Sequence, residues 1–290
     1  MDRLHEKIRK LKNPIVLDMT VRKEMLPPHL LTQEGNYLRA YGRFCLELME
    51  GLRREIVGVR YSYSLFSLFG TEGLSWLSRL CSKADSLGFY VLLDMPDIKN
   101  QTQAEIFTQL IMDEQFPWFF DGIVVSAYIG SDGYTGFVPQ LKEKGKDLFV
   151  LLRTPNKSAA QIQDLMTGGR LVHTAMADQL IRAAREVMGR CGYAHVGCVA
   201  AGASSGSLQQ LRSKYKELFI LVDGYEIPTV NTKSCALAFD HLGHGAAICA
   251  SHYITSAWSS EGLDGAEYVQ AAQRAVMKMK TNIARYITIL

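Results

Sequence analysis

The sequence contains no apolar run close to the roughly 20 residues that a membrane-spanning helix needs. It also lacks a large excess of either charge, since 32 Lys and Arg residues face 29 Asp and Glu residues. Only 8 prolines and 24 glycines occur among 290 residues, which is close to average usage. The lack of a long apolar run excludes a membrane-spanning chain, and the ordinary proline and glycine content excludes a collagen-like chain. A disordered chain is excluded because 48% of the residues are hydrophobic and the net charge is small. The small, dispersed positive charge argues against a dedicated nucleic-acid binder.

Paired cysteines and familiar catalytic motifs are absent as well. The six cysteines include no CxxC pair, so free thiols packed in the core are expected. No GxSxG, Walker or HExxH motif occurs. His241 and His244 are three positions apart with no third ligand nearby, and we predict neither a metal site nor a cofactor. Residues 1–12 are amphipathic and unlike a signal peptide, so we expect a cytoplasmic protein.

The sequence does have a regular alternation of short apolar runs and longer amphipathic segments. Several of the runs are apolar almost throughout, as in strands that are covered on both faces. The predicted strands are 14–20, 55–61, 88–94, 121–127, 148–153, 195–200, 218–222 and 246–250. The segments between them have apolar residues at helical spacing, and the predicted helices are about 3–12, 35–53, 73–87, 102–115, 171–189, 205–215 and 264–285.

Eight strands that are each followed by helical material predict an α/β fold, a single (β/α)8 TIM barrel domain over residues 1–290. An open doubly wound sheet is the alternative. The first strand lacks a GxGxxG turn, which disfavours the dinucleotide-binding form of that alternative. In a barrel, the functional site lies at the C-terminal ends of the strands.

Charged residues stand at the ends of the first three predicted strands. Asp18, Arg60, and Asp94 with Asp97 could converge there, where carboxylates and a cation shift one another's pKa values and polarise a substrate. A structural ion-pair network explains the same residues equally well. Segment 201–206, rich in small residues and serines, suits either a bound anion or a tight turn before a helix, and we favour the turn.

Taken together, the strand ends resemble orotidine 5'-phosphate decarboxylase, in the bacterial subgroup with longer chains. Residues 13–18 (NPIVLD) are similar to the family's first strand, which ends in a substrate-contacting Asp. Residues 150–156 (VLLRTPN) and 163–165 (QDL) are similar to its "vRTSNp…QDL" segment, and residues 196–204 (VGCVAAGAS) to "vGaVvGAT". The resemblance runs from about Leu4 to Trp258. It implies a TIM barrel, a homodimer, and conversion of orotidine monophosphate to UMP and CO2 in pyrimidine biosynthesis.

The alternating Lys-Asp-Lys-Asp array that performs this reaction in the family is degenerate here. The resemblance puts Arg60 where one Lys belongs and Asp94 at the first Asp, while the motif Lys falls on Pro96. Read without a gap, the second Asp falls on Lys99, and a two-residue gap restores it as Asp97. Arginine is a poor proton donor because of its high pKa and planar shape.

The residues that would bind substrate are changed too. Pro155 stands where the family has a pyrimidine-contacting Ser, and the phosphate loop after the seventh strand becomes acidic through Asp223 and Glu226. His252 stands where a phosphate-binding Arg belongs. The positions that the resemblance marks as substrate-binding are Asp18, Thr154, Asn156, Glu226 and His252.

Three functions remain open from the sequence. The first is a decarboxylase-like barrel with weak or no activity and a binding or regulatory role. The second is an active decarboxylase with a rebuilt site that uses Lys99. The third is a different enzyme on the same barrel that acts on a phosphorylated sugar or a neutral ligand. For this function the acidic loop favours a neutral or cationic ligand, or a metal.

The sequence also leads to expectations about partners. We expect a small-molecule ligand, such as a pyrimidine nucleotide, and neither nucleic acid nor a membrane. We also expect a homodimer, for which the aromatic segments 61–69 and 116–120 are candidate contact surfaces, although core packing explains them as easily.

Overall fold

Eight parallel strands form a closed barrel in the computed structural model, which describes residues 1–201, 205–225 and 230–290. A two-stranded antiparallel hairpin lies outside the barrel. All eight predicted strands are present, so the predicted (β/α)8 barrel is confirmed. The strands are β1 Ile15–Asp18, β2 Gly58–Ser62, β3 Tyr90–Asp94, β4 Gly122–Ser126, β5 Asp147–Arg153, β6 Met166–Thr167, β7 Arg170–Leu171, β8 Val196–Ala201, β9 Ile220–Asp223 and β10 Ala246–Ala250.

The helices connect and surround the strands. They are α1 Asp2–Leu11, α2 Pro28–Glu34, α3 Tyr37–Leu52, α4 Tyr63–Ser67, α5 Gly70–Ser86, α6 Gln101–Ile111, α7 Val138–Lys144, α8 Val172–Glu186, α9 Ser205–Lys214, α10 Thr232–Ala236, α11 His252–Thr255, α12 Ala257–Ser260 and α13 Tyr268–Ala284. In the described ranges, none of the helices combines the length and the apolar character that crossing a membrane requires.

Local sequence signals explain where several helices begin and end. The side chain of Asn36 accepts hydrogen bonds from the N–H groups of Leu38 and Arg39 and caps the start of α3. Helix α2 ends at Gly35, whose φ of 61° suits glycine. Helices α2 and α7 were not predicted, because each has only seven residues, too few for a clear helical period. Both begin with a proline in the first turn.

Side chains on each strand alternate between the barrel interior and the surrounding helices. Val16, Leu92 and Leu221 belong to the inner apolar cluster. Val59 and Tyr61 belong to the larger outer cluster, which packs between the strands and the helices. The same alternation decides which polar side chains point into the barrel where the strands end.

Helix α1 closes the end of the barrel at which the strands begin. Leu4 and Ile8 lie one turn apart on the same face, are 0% and 2% exposed, and join the inner cluster. Arg3 donates a hydrogen bond to Asp121, immediately before β4, with 2.5 Å between the two atoms. The C-terminal ends of the strands therefore form the opposite end, which we call the mouth.

The cysteines and the two aromatic segments serve mainly the core. All six cysteines are free thiols, and five of them are buried, as expected. In the first aromatic segment Tyr61 and Phe66 are buried, and in the second Phe120 is buried. Leu68 is a large apolar residue that does not follow this pattern, with 80% of its surface exposed.

Truncation of the Leu4 side chain tests how much helix α1 contributes to the core. Leu4→Ala should lower the free energy of unfolding by about 2–5 kcal/mol, because it leaves a cavity beside the inner cluster. Exposed Lys10 on the same helix is the control, and Lys10→Ala should change stability by less than about 0.5 kcal/mol. Urea denaturation measures both. Equal stability of Leu4→Ala and the natural protein would show that α1 does not contribute to the folded core.

Candidate active site at the barrel mouth

Strand alternation brings three carboxylates together at the mouth. Asp18, Asp94 and Asp223 are the last residues of β1, β3 and β9. Each comes two positions after an apolar side chain of the inner cluster, so each points into the barrel above that cluster. Arg60 stands between two outward-facing residues of β2 and therefore points inward as well.

The guanidinium of Arg60 binds all three carboxylates, and we call these four residues the mouth cluster. Its Nε lies 2.9 Å from each carboxylate oxygen of Asp94, and its Nη2 lies 2.9 Å from Asp94 Oδ2. Its Nη1 lies 3.3 Å from Asp223 Oδ2 and 3.9 Å from Asp18 Oδ2. Arg60 is only 6% exposed. The convergence of Asp18, Arg60 and Asp94 that the sequence suggested is therefore present.

Burial and charge work against each other in the mouth cluster. Burial raises the pKa of Asp94 to about 6, although the charge of Arg60 opposes that change. Burial also raises the pKa of Asp18, again against Arg60. Burial disfavours the charge of Arg60 too, but Asp94, Asp223 and Asp18 outweigh it and hold its pKa well above the ordinary value. Arg60 therefore stays protonated at any physiological pH.

Asp97 and Lys99 lie in the loop after β3 and do not join the mouth cluster. Both are exposed. The backbone N–H of Lys99 donates to Gln103 Oε1 at 2.9 Å. Within the described ranges, neither side chain forms a hydrogen bond or an ion pair with Arg60 or Asp94. Sequence spacing placed these residues near Asp94 along the chain, but it could not show where the loop turns them.

Thr154 and Asn156 lie in a second polar group after β5. Thr154 Oγ1 donates to Asn156 Oδ1 at 2.6 Å, and the backbone N–H of Thr154 donates to Gln163 Oε1 at 2.8 Å. Buried Arg153 forms two hydrogen bonds with Asp164, at 3.0 and 2.8 Å, which hold this segment to the end of β5. The hydrogen bonds from Arg153 lower the pKa of Asp164.

The remaining predicted binding positions are His252 and Glu226. His252 is exposed at the start of α11, and its Nδ1 lies 2.5 Å from Ser256 Oγ on the next turn. It lines a surface crevice beside α13 together with Glu261 and Arg274. Glu226 and the small-residue segment 202–204 lie outside the described residues.

Asp223 is the member of the mouth cluster that the sequence analysis did not predict. It was recognised as an acidic loop residue, but its contact with Arg60 spans 163 positions of the chain. The signal that could have found it is its position two residues after Leu221, an inner-cluster side chain. Within the described part of the chain, no group of three or more His, Cys, Asp or Glu residues is arranged to hold a metal ion.

Comparisons with known proteins confirm the resemblance. The chain is 23% identical over 286 residues to a protein named orotidine 5'-phosphate decarboxylase from Clostridium novyi, which covers 98% of both chains. It is 24% identical over 275 residues to a protein of the same name from Rhodopirellula baltica, over 90% of this chain and 91% of the relative. No protein-family model matches the chain.

Solved structures show the same fold. The orotidine 5'-phosphate decarboxylase of Leishmania donovani superposes with a TM-score of 0.74 and 20% identity, over 97% of this chain and 98% of that one. A Toxoplasma gondii chain provisionally given the same name superposes with a TM-score of 0.79 and 20% identity, over 98% of both chains. The (β/α)8 architecture is therefore shared along nearly the whole length.

The raised pKa of Asp94 makes stability depend on pH. The folded protein holds the Asp94 proton up to about pH 6, whereas an unfolded chain releases it near about pH 4. The Asp94 carboxyl group therefore favours the folded state below about pH 4. This stabilisation is lost as the pH rises through the folded pKa of about 6. From pH 4 to 7, the unfolding free energy of the natural protein should fall by about 2–3 kcal/mol relative to Asp94→Asn.

Urea denaturation of both proteins at several pH values measures this difference. Exposed Asp132 supplies the control, since Asp132→Asn should follow the pH profile of the natural protein. If Asp94→Asn also runs parallel to the natural protein across the window, the carboxyl group of Asp94 is not held in the environment described here.

Proposed function

We propose that this protein is an orotidine 5'-phosphate decarboxylase-like barrel that binds a small molecule at its mouth and does not decarboxylate orotidine monophosphate efficiently. The observation that carries the proposal is the mouth cluster. The sequence resemblance puts Arg60 where the family has a Lys, and Arg60 is held by Asp94, Asp223 and Asp18. The names of the relatives supply the reaction class, pyrimidine nucleotide decarboxylation.

The cation of the mouth cluster is poorly suited to proton delivery. Decarboxylation leaves a carbon that must receive a proton, and the donor must be able to give it up near neutral pH. Arg60 cannot do so, because the three carboxylates hold its pKa above an already high value. Exposed Lys99 has no side-chain hydrogen bond or ion pair with the cluster among the described residues.

The charge of the mouth also disfavours the family substrate. Three carboxylates face one guanidinium, so the four groups carry an excess negative charge once Asp94 is ionised. Orotidine monophosphate brings its own carboxylate and a phosphate, which such a site repels. A neutral ring that accepts hydrogen bonds from Arg60 and donates to the carboxylates fits better. We therefore propose a neutral pyrimidine ligand with a binding or regulatory role.

The whole chain and its assembly are part of the same proposal. We propose that residues 1–290 act as one barrel domain and associate as a homodimer. Exposed Leu68 and Tyr128, which follow β2 and β4 and are 80% and 81% exposed, support an interface near the mouth.

The decisive assay is ultraviolet-monitored decarboxylation of orotidine monophosphate by the purified full chain, with and without a divalent metal. We expect no rate above that of a protein-free control, because neither Arg60 nor exposed Lys99 is suited to deliver the proton. A clear rate would overturn the proposal in favour of an active, rebuilt site. In that event Lys99→Ala should abolish turnover, and Lys157→Ala, another exposed lysine, serves as its matched control.

Ligand charge provides a second test, by isothermal titration calorimetry of uridine and UMP. We expect uridine to bind at least about tenfold more tightly than UMP, because the phosphate adds charge repulsion. Asp223→Asn should narrow that difference by removing one carboxylate. Tighter binding of UMP than of uridine would show that the mouth retains an anion site and would contradict the proposed ligand class.

A further inference from the structure

A cavity lies at the end of the barrel opposite the mouth. It has a volume of about 460 Å³, within the range typical of small-molecule sites. Its walls come from the starts of β3 and β5, from α1, from the end of α7 and from the segment after α8. Eight of its twelve lining residues are charged or polar, namely Asp2, Arg3, Tyr90, Asp121, Lys142, Asp147, Arg190 and His195.

The most deeply buried acid of this cavity already has its hydrogen-bond partners. Asp147 Oδ2 accepts from the hydroxyl of Tyr90 at 2.5 Å. Asp147 Oδ1 lies 2.8 Å from His195 Nδ1 and also accepts from the nitrogen of Met1. Asp147 is therefore occupied within the protein and offers little to a ligand.

The other two acids are also engaged. Asp121 accepts hydrogen bonds from Arg3 at 2.5 Å and from the backbone N–H of Val91 at 2.8 Å. Asp2 accepts from the backbone N–H groups of Cys191 and Arg190, at 2.8 and 3.2 Å. Burial acts in the opposite direction, yet these hydrogen bonds lower the pKa of Asp2, so its charge is retained and used locally.

Two cationic side chains on the wall of the cavity have hydrogen-bond donors that no described residue accepts from. Lys142 is exposed on α7, and its ammonium group forms no hydrogen bond or ion pair with any described residue. The Arg190 side chain is 95% exposed, with a single 3.5 Å contact from Nε to Asp2. Both side chains can only donate hydrogen bonds, so they favour a ligand with an anionic acceptor group.

We propose that this cavity binds the oxyanion group of a small molecule, a phosphate or a carboxylate, through Lys142 and Arg190. His195, held in place by Asp147, adds an imidazole to the same wall. The site is separated from the mouth by the inner apolar cluster that fills the barrel. It is therefore a second binding site, independent of the ligand proposed for the mouth, and suited to an effector.

The test is isothermal titration calorimetry of the full chain with inorganic phosphate and, separately, with malonate. Binding of phosphate alone assigns a phosphate group, and tighter binding of malonate assigns a carboxylate. Lys142→Glu should weaken the preferred probe by at least about tenfold, the loss expected for a charge-assisted hydrogen bond. Arg190→Ala should weaken it about tenfold as well. Both residues are exposed, so the variants should fold.

Lys144→Glu is the matched control, because it makes the same change of charge on the same helix but lies outside the cavity lining. It should change the affinity by less than about twofold. Equal weakening by Lys142→Glu and Lys144→Glu, or no binding of either probe at tens of millimolar, would overturn the proposal. The uridine titration at the mouth should be unaffected by Lys142→Glu, so failure of one site does not imply failure of the other.

Discussion

The burial of one guanidinium dominates the mouth of this barrel. A cation that is removed from water must be compensated by partners with good geometry, or it strongly destabilises the fold. Arg60 obtains that compensation from three different strands. Two strands, β1 and β10, separate β2 from β9 in the barrel order, so the contact with Asp223 reaches across the opening. The same interaction that satisfies Arg60 therefore links three strands across the opening and engages their terminal carboxylates.

Much of the fold could be predicted from the sequence because the physical signals are local. Strands such as β4 and β10 are continuous apolar runs, and helices such as α3 show a clear helical period. Helices α2 and α7 were not predicted, because a seven-residue helix contains fewer than two full helical periods. Length, in these cases, limited what the pattern could reveal.

The candidate site could be predicted only in part. Asp18, Arg60 and Asp94 were expected to converge, since ends of parallel strands share one end of the barrel. The contact of Arg60 with Asp223 depends on which strands face each other across the opening, and no local pattern contains that information. The positions of the Asp97 and Lys99 side chains depend on the path of the loop after β3. Side chains on loops are not oriented by strand or helix periodicity.

The barrel also closes by joining the two ends of its sequence, since residues 15–17 of β1 pair with residues 248–250 of β10. During synthesis the N-terminal segments leave the ribosome first. The first strand can therefore pair with β2 early, but it lacks its second neighbour, β10, until residues 248–250 have emerged. Contacts so distant along the chain slow folding and prolong the exposure of apolar strand edges. The architecture that encloses the core thus delays closure of the barrel until its last strand is available.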